Sequence, residues 1–349
     1  MTLLYIIIFM IISYKAKIYD THEYNTDALS KHMCNSIKGI AAISVVLHHI
    51  SQRLSYVKFL EPFRYVGYLA VALFFFYSGY GMMKSFESKA NYLKNFWTKR
   101  IPKVVLPFIF ANILFVIVYS FFNKAVYSPK DTVYFILGIK LIDGFKWYIL
   151  AIITFYIGFY FSFKYLKGNK SMVGMFLVIT GYCYVNHKLG NGEWWYNSVY
   201  CFLMGLLYGR YSEIIINFIK KRYLTVLLVL SVLFSIYHED AIFNLGIVTT
   251  NLAAIFFVVL CVCICMKFSI GNEITIFLGS ISYEIYLMHR IFLDAFSNRI
   301  TNPYVYLVVC LIGSILLGYL FNKFMDKIFS INIKKINKNK HNKRKCATI

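Results

Sequence analysis

The chain has 349 residues, of which 59% are hydrophobic and only 15% are charged, and its mean hydropathy is +0.62. A soluble domain fills its core with far less apolar sequence, so this composition excludes an ordinary soluble fold and favours an integral membrane protein. The formal net charge of +22 does not indicate nucleic-acid binding, because the Lys and Arg residues lie between apolar runs rather than on one face of a module.

The first segment, MTLLYIIIFMIISY, is either a short additional span or a signal-like segment, although it lacks a charged n-region and a small-residue cleavage site. If it spans, Lys15 and Lys17 keep its second end inside the cell. We divide the chain into an N-terminal extension over 1–32, a membrane domain over 33–329 and a basic cytoplasmic tail over 330–349, which we predict to be disordered.

Between residues 37 and 322, apolar runs that are mostly long enough to cross about 30 Å of hydrocarbon predict an all-α transmembrane bundle of about ten helices. The predicted spans are 37–54, 66–84, 103–122, 147–166, 171–187, 195–209, 223–237, 244–266, 274–296 and 303–322. A shorter apolar patch within 130–144 predicts an interfacial or re-entrant segment.

The distribution of positive charge agrees with this order of spans. With the span at 37–54 entering from the cytoplasm, the inner segments hold 27 Lys and Arg residues and the outer loops hold 9. This asymmetry is the one expected for a multi-pass membrane protein with its basic loops in the cytoplasm. The cysteines form no CxxC pair, so neither a metal site nor a disulfide framework is predicted.

Two adjacent histidines, His48 and His49, lie within the first predicted core helix. Ionisable groups inside a span usually face a cavity or the bundle interior and mark a reaction site or pathway. Lys38 precedes His49 by eleven residues, which places both on one helix face about 16 Å apart along the axis. His48 points about 100° away and is either a partner of His49 or a packing residue.

The second predicted core helix contains the small residues Ser78 and Gly79 after a run of aromatic residues. Small residues in a span either let a neighbouring backbone pack closely or leave room for an acyl chain.

The third predicted core helix begins with a basic cluster on its cytoplasmic side. Arg100 and Lys103 are three residues apart and therefore share a face, where they could bind a phosphate group. The alternative is that both are positive-inside anchors.

The span at 274–296 contains SYEIYLMHR, an unusually polar sequence for a membrane helix. Tyr286 and His289 are neighbours at i and i+3, whereas Glu284 and His289 lie on different faces. So many polar groups in one span are hard to explain by packing alone and favour a functional role.

In this order, these motifs resemble those of the acyltransferase 3 family of bacterial membrane acyltransferases over about residues 33–322. Lys38 and His49 correspond to the family's Arg, ten residues and His, with Lys in place of Arg. Other matching segments are Phe75 to Tyr80, Arg100 to Pro107 with Lys103 for a second Arg, Trp147-Tyr148, and Ser282 to His289. Lys at 38 and 103 keeps the charge but not the planar, two-pronged geometry of Arg.

The resemblance implies transfer of an acyl group, most often acetyl from cytoplasmic acetyl-CoA, to a hydroxyl of a surface polysaccharide or its lipid-linked precursor outside the cytoplasm. Acyl-CoA would be a co-substrate, and no permanently bound cofactor or metal is expected. His49 would act as general base or as a transient acyl carrier. The other site residues that the resemblance implies are His289, Tyr286 and Ser282 for orienting substrate or stabilising the oxyanion; Lys38, Arg100 and Lys103 for the donor; and Ser78, Gly79, Trp147, Tyr283 and Glu284 in the substrate pocket.

Two other functions are compatible with polar residues inside spans. A transporter or flippase would use intramembrane His, Glu and Arg as a pathway, but the inverted repeat with broken helices typical of such proteins is not evident. A polymerase-like enzyme would normally need larger outer loops than this sequence offers.

Overall fold

The computed structural model describes the backbone of residues 2–122, 124–242 and 246–346, and the side chains of 4–122, 124–239 and 246–331. Within these residues the protein is almost entirely helical, and the predicted all-α class is confirmed. The helices are α1 Thr2–Ser13, α2 Lys31–Arg53, α3 Gly67–Ser88, α4 Phe96–Lys99, α5 Pro102–Phe122, α6 Pro129–Leu137, α7 Trp147–Tyr165, α8 Lys170–Lys188, α9 Tyr200–Arg210, α10 Ser212–Lys221, α11 Tyr223–Ile242, α12 Ile247–Cys265, α13 Glu273–Ser280, α14 Ser282–Phe296 and α15 Pro303–Cys346.

Short 3-10 turns and one small sheet connect these helices. The 3-10 turns are Lys58–Tyr65, Leu93–Asn95, Gly144–Lys146 and Glu193–Trp195. The strands β1 Lys17–Ile18 and β2 Phe268–Ser269 pair antiparallel.

Fewer helices than predicted could cross a bilayer. Among the described residues, six are long and apolar enough, or seven if one bent pair is a single span, whereas the sequence predicted about ten. Each predicted range does contain a helix, but several are short or interrupted. The six are Lys31–Arg53, Lys58–Ser88, Leu93–Phe122, Gly144–Tyr165, Ile247–Cys265 and Pro303–Ile331.

Two interruptions account for part of this difference. The pair Glu193–Arg210 and Ser212–Lys221 is bent by 89°. The predicted span at 274–296 is divided at Ile281 into α13 and α14. A hydrophobicity pattern locates apolar segments but does not reveal where the helical axis turns.

The patch predicted within 130–144 forms the nine-residue helix α6, about 13 Å long and too short to cross the hydrocarbon. Ser128 caps its first turn by accepting a hydrogen bond from the Asp131 backbone N–H at 3.0 Å. Gly138, with φ +72°, ends it in the left-handed conformation that favours glycine. The helix therefore has defined start and stop signals of its own.

The N-terminal helix α1 is bonded to the bundle near both of its own ends. The Tyr5 hydroxyl donates a hydrogen bond to the Phe59 carbonyl at 2.6 Å, near one end of α1. Near its other end, the Asn272 side chain donates to the Ile11 carbonyl at 2.7 Å.

Lys15 follows α1 and pairs with Glu273. Its hydrogen bond and its charge hold the pKa of this exposed carboxyl below the usual range. Whether α1 is a further span stays a prediction, and so does the predicted disorder of the tail, which lies largely beyond the described side chains.

Helix α2 carries the two histidines and packs closely against α13 at two glycines. A Cβ on Gly279 would lie 1.8 Å from the Asn35 carbonyl oxygen, and a Cβ on Gly39 would lie 2.2 Å from the Thr275 carbonyl oxygen. Only glycine permits this backbone contact. Because α14 follows α13 directly, the contact also brings the polar face of α14 beside α2.

Candidate active site

Two cavities meet inside the bundle, and Tyr286 lines both of them. The basic cavity, of about 640 Å³, is bordered by Lys38, Arg100 and Lys103. The histidine cavity, of about 420 Å³, is bordered by His49 and Trp147. The Tyr286 ring therefore stands between the predicted donor residues and the predicted catalytic histidine.

The basic cavity has a strongly positive lining. Three predicted donor residues line it together with Lys31 and Lys84, and within the described part of the chain its lining includes neither Asp nor Glu. Uncompensated cations that converge on one cavity attract a polyanionic ligand such as a group of phosphates. By the positive-inside rule, this cavity is the one expected at the cytoplasmic face.

Arg100 is held at the wall of the basic cavity by a short hydrogen-bonded chain. Its guanidinium donates to the Tyr156 hydroxyl at 2.5 Å and lies 4.8 Å from the centre of the Tyr156 ring. The Tyr156 hydroxyl is 2.7 Å from the Ser78 hydroxyl. Among the described residues, the buried Arg100 Nε has no hydrogen-bond partner, so the guanidinium retains donor capacity for a ligand.

At the wall of the histidine cavity, three flat rings are nearly parallel; His49 and Phe145 line the cavity, whereas the buried His289 does not. The His49 imidazole stacks on the Phe145 ring with centroids 3.7 Å apart and an interplanar angle of 11°. The His289 imidazole lies 5.2 Å from His49 at an angle of 14°. His49 Nδ1 is 3.0 Å from the Gln52 side-chain oxygen, so Nδ1 carries the proton that is donated to this oxygen. The neutral ring then presents an unprotonated Nε2.

His289 has its own fixed tautomer. Its Nδ1 is 2.8 Å from the Tyr286 backbone carbonyl, which can only accept a hydrogen bond. The neutral ring consequently offers a lone pair at Nε2, a buried atom that has no hydrogen-bond partner in the part of the chain that the structure describes. Stabilising an oxyanion would require the imidazolium, whereas the neutral ring is suited to accept a hydrogen bond from a hydroxyl.

A cluster of charged residues behind the histidines holds the Phe145 turn and α14 in place. Arg290 lies 3.3 Å from Asp143 and 2.9 Å from Asp294, and its guanidinium carbon lies 4.1 Å from the centre of the Phe145 ring. Asp294 also pairs with Arg53 from α2. Asp143, Phe145, Asp294 and Gln52 belong to none of the sequence motifs. Gln52 lies three residues after His49 on α2 and reaches it through the helical repeat, whereas Phe145 reaches His49 from another element through packing.

Lys146 is almost completely buried next to this cluster. Its ammonium donates to the Asn112 side-chain oxygen at 3.0 Å and lies 3.4 Å from the centre of the Phe115 ring. These contacts fix the start of α7 against α5 and so help to position the turn that carries Phe145.

The remaining predicted site residues are divided between the cavities and the packing surfaces. Ser282 and Tyr283 line the basic cavity rather than the histidine cavity, and their hydroxyls donate to the Gly279 and Val104 carbonyls at 2.8 Å. Ser282 therefore does not join His49, because it lies one helical turn before Tyr286. Ser78 also lines the basic cavity.

Gly79 and Glu284 line neither of these cavities. A Cβ on Gly79 would lie 2.2 Å from the Phe202 carbonyl oxygen, so this glycine allows α3 and α9 to approach. Glu284 is buried against α15, where its carboxyl accepts a hydrogen bond from Asn322 at 3.2 Å. The structure thus places both at helix contacts instead of in the predicted pocket.

The described residues contain no group of three or more His, Cys, Asp or Glu side chains arranged to hold a metal ion.

A family model described as an acyltransferase domain matches residues 34–323 of the chain. No curated protein and no solved structure matches. The matched range contains all twelve predicted site residues and most of the residues that line the two cavities.

Proposed function

Since the chain belongs to this acyltransferase family and is a multi-pass membrane protein, we propose that it transfers an acyl group from acyl-CoA in the basic cavity to a hydroxyl group in the histidine cavity. The donor we propose is acetyl-CoA in the cytoplasm of a bacterial cell. The acceptor we propose is a surface polysaccharide or its lipid-linked precursor outside the cytoplasm.

The observation that carries the proposal is the shared wall at Tyr286. A cationic cavity on one side suits the phosphates of CoA, and an imidazole with a free lone pair on the other side suits a proton-accepting role. An extended pantetheine arm that passes Tyr286 would bring the thioester towards His49 while the phosphates stay with the cations.

The reaction then follows as one nucleophilic substitution. The acceptor hydroxyl oxygen attacks the thioester carbonyl carbon, and His49 Nε2 takes the hydroxyl proton. The new C–O ester bond forms as the C–S bond breaks, and the proton passes from His49 to the leaving thiolate. His289 is buried and does not line the cavity; it stacks 5.2 Å from His49 and positions that ring.

Aromatic and amide groups in the histidine cavity support a carbohydrate acceptor. Trp147, Trp194 and Tyr65 line it together with Gln52 and Asn197. Flat aromatic faces pack against the apolar faces of sugar rings, while amides pair with hydroxyls.

The test is mass spectrometry of surface glycans from cells with and without the gene, followed by His49→Ala in a protein that still inserts. We expect an added acyl mass only with the active gene, and loss of about 10²- to 10⁴-fold in transfer rate for the variant because general-base catalysis contributes that much. Unchanged glycan masses would refute the proposed acceptor, and retained activity in His49→Ala would remove this residue from the mechanism.

A further inference from the structure

A chain of hydrogen bonds leads from the loop at one end of α2 to His49 Nδ1, the ring nitrogen opposite the proton-accepting Nε2. The His48 Nδ1 is 3.1 Å from the Phe63 backbone carbonyl in the 3-10 turn Lys58–Tyr65. The His48 Nε2 is 3.2 Å from the Gln52 amide nitrogen. The Gln52 amide oxygen is 3.0 Å from His49 Nδ1. Gln52 therefore connects the two histidines through both ends of one amide.

Donor and acceptor chemistry allows one direction for this chain when both rings are neutral. The Phe63 carbonyl accepts only, so His48 carries its proton on Nδ1 and offers a lone pair at Nε2. The Gln52 NH₂ group donates to that lone pair, which turns the amide oxygen towards His49. The oxygen accepts only, so the His49 proton lies on Nδ1. The opposite orientation of Gln52 would require a charged His48.

We propose that Gln52 is a positioning residue that, together with His48, sets the tautomer of His49 and keeps its Nε2 free to accept the acceptor's proton. This inference rests on the proposed acyltransferase function. His48 is consequently not a second catalytic base: its two nitrogens are both engaged, and its role is to orient the amide. The local helix geometry supports this, because residues three and four apart on α2 meet on one face.

Close packing fixes the His48 end of the hydrogen-bond chain. A Cβ on Gly67 would lie 2.3 Å from the His48 ring, so the absence of a side chain at this position leaves the space that the imidazole fills. The ring is thereby held against the Lys58–Tyr65 turn, and its bond to Phe63 does not depend on a flexible side chain.

Other ionisable groups also face His49 and must be considered in any pH measurement. His289, Arg290 and Tyr286 approach from α14, and Asp143 and Lys146 flank Phe145 on the turn that stacks on His49. These groups are unchanged in variants of Gln52. A difference in pH profile between such variants therefore measures the contribution of the Gln52 side chain.

The first experiment measures transfer of radiolabel from acetyl-CoA into glycans of membranes that contain the wild type, Gln52→Met, Gln52→Glu or Ser51→Ala. Met retains length but removes both hydrogen bonds, and we expect kcat to fall about 10- to 100-fold with KM for acetyl-CoA unchanged. Glu retains the acceptor oxygen for His49 Nδ1, so we expect it to recover kcat while the acid limb of the pH profile moves to higher pH, because a carboxylate stabilises the imidazolium.

Ser51→Ala is the matched control, because the Ser51 hydroxyl donates to the His48 carbonyl at 2.7 Å and is not a member of the hydrogen-bond chain through Gln52. We expect its kinetics to match the wild type. Equal losses in Gln52→Met and Gln52→Glu with no shift of the pH profile would overturn the proposal, as would a Gln52→Met enzyme within twofold of wild type.

The second experiment does not depend on catalysis. Diethyl pyrocarbonate modifies unprotonated imidazole nitrogens, and peptide mass spectrometry resolves the site, with the exposed His22 as internal reference. We expect His49 to react faster than His48 in the wild type, and the His48 rate to rise several-fold in Gln52→Met but not in Ser51→Ala. Equal rates at both histidines in the wild type would overturn the proposal. A wild type that transfers no label would instead refute the proposed function. The modification rates of His48 and His49 would then still test whether Gln52 bonds both rings.

Discussion

The three predicted donor residues differ in what they can offer a phosphate. Lys38 and Lys103 each present an ammonium, which acts as a point charge, whereas Arg100 presents a planar guanidinium with several donors. Arg100 is also the most tightly held, through Tyr156 and Ser78, and keeps an unpartnered buried Nε. The orientation of a bound phosphate therefore depends on Arg100, and the two lysines supply mainly electrostatic attraction.

We predict that Arg100→Gln raises KM for acetyl-CoA about 10-fold or more, because a charge-assisted hydrogen bond contributes about 1.5–3 kcal/mol. Lys99→Gln is the matched control. This substitution removes the same charge from a neighbouring exposed residue that does not line the cavity. Initial rates over a range of acetyl-CoA concentrations give KM for both variants. Equal increases in KM would mean that only the overall positive charge at this face matters.

At the scale of elements, the site depends on a contact between two backbones. Gly39 and Gly279 let α2 and α13 approach, and the break at Ile281 then redirects the chain so that α14 brings Tyr286 and His289 to His49. The paired charges of Arg53 and Asp294 hold the far ends of α2 and α14 together. Two helices are thus connected at both ends, with the reactive groups between them.

We predict that Gly279→Ala lowers the melting temperature and the activity together, because its Cβ would meet a backbone oxygen that cannot move aside, at a cost of about 1–3 kcal/mol or more. Gly181→Ala is the control, since a Cβ there meets nothing within 4 Å in an exposed part of α8. Thermal unfolding in detergent gives the melting temperature of both variants, and transfer assays give their activity. Equal stability of the two would contradict the role of the close contact.

At the scale of the whole molecule, the arrangement separates a basic cavity from a histidine cavity and leaves one aromatic ring between them. The Tyr286 hydroxyl donates to the Phe145 carbonyl, which joins this ring to the turn that stacks on His49. A barrier that admits an acyl arm but excludes water would protect the thioester from hydrolysis.

We predict that Tyr286→Ala uncouples the reaction: acetyl-CoA is hydrolysed without acceptor, because water then reaches the thioester between the joined cavities. Tyr286→Phe retains the ring and should remain coupled. Tyr283→Ala is the control, since Tyr283 lines only the basic cavity. The ratio of thiol released to label transferred measures coupling, and a wild-type ratio in Tyr286→Ala would contradict the barrier.

The sequence alone was sufficient to predict the all-α membrane class and the family, because long apolar runs and spaced polar motifs are local properties of the chain. It also predicted that Lys38 and His49 lie toward opposite ends of one helix face, since helical periodicity fixes their separation. The sequence predicted about ten spans, whereas six or seven helices among the described residues are long and apolar enough to cross a bilayer, because apolar content does not show where a helix bends or breaks.

Only the tertiary structure decided which polar residues share a cavity. Gly79 and Glu284 belong to motifs yet face other helices, whereas Phe145 belongs to none and stacks on His49 from another element. The reason is physical: a motif specifies spacing along one helix, while the neighbours of a side chain are set by how close two backbones can approach and by the angle at which their helices cross.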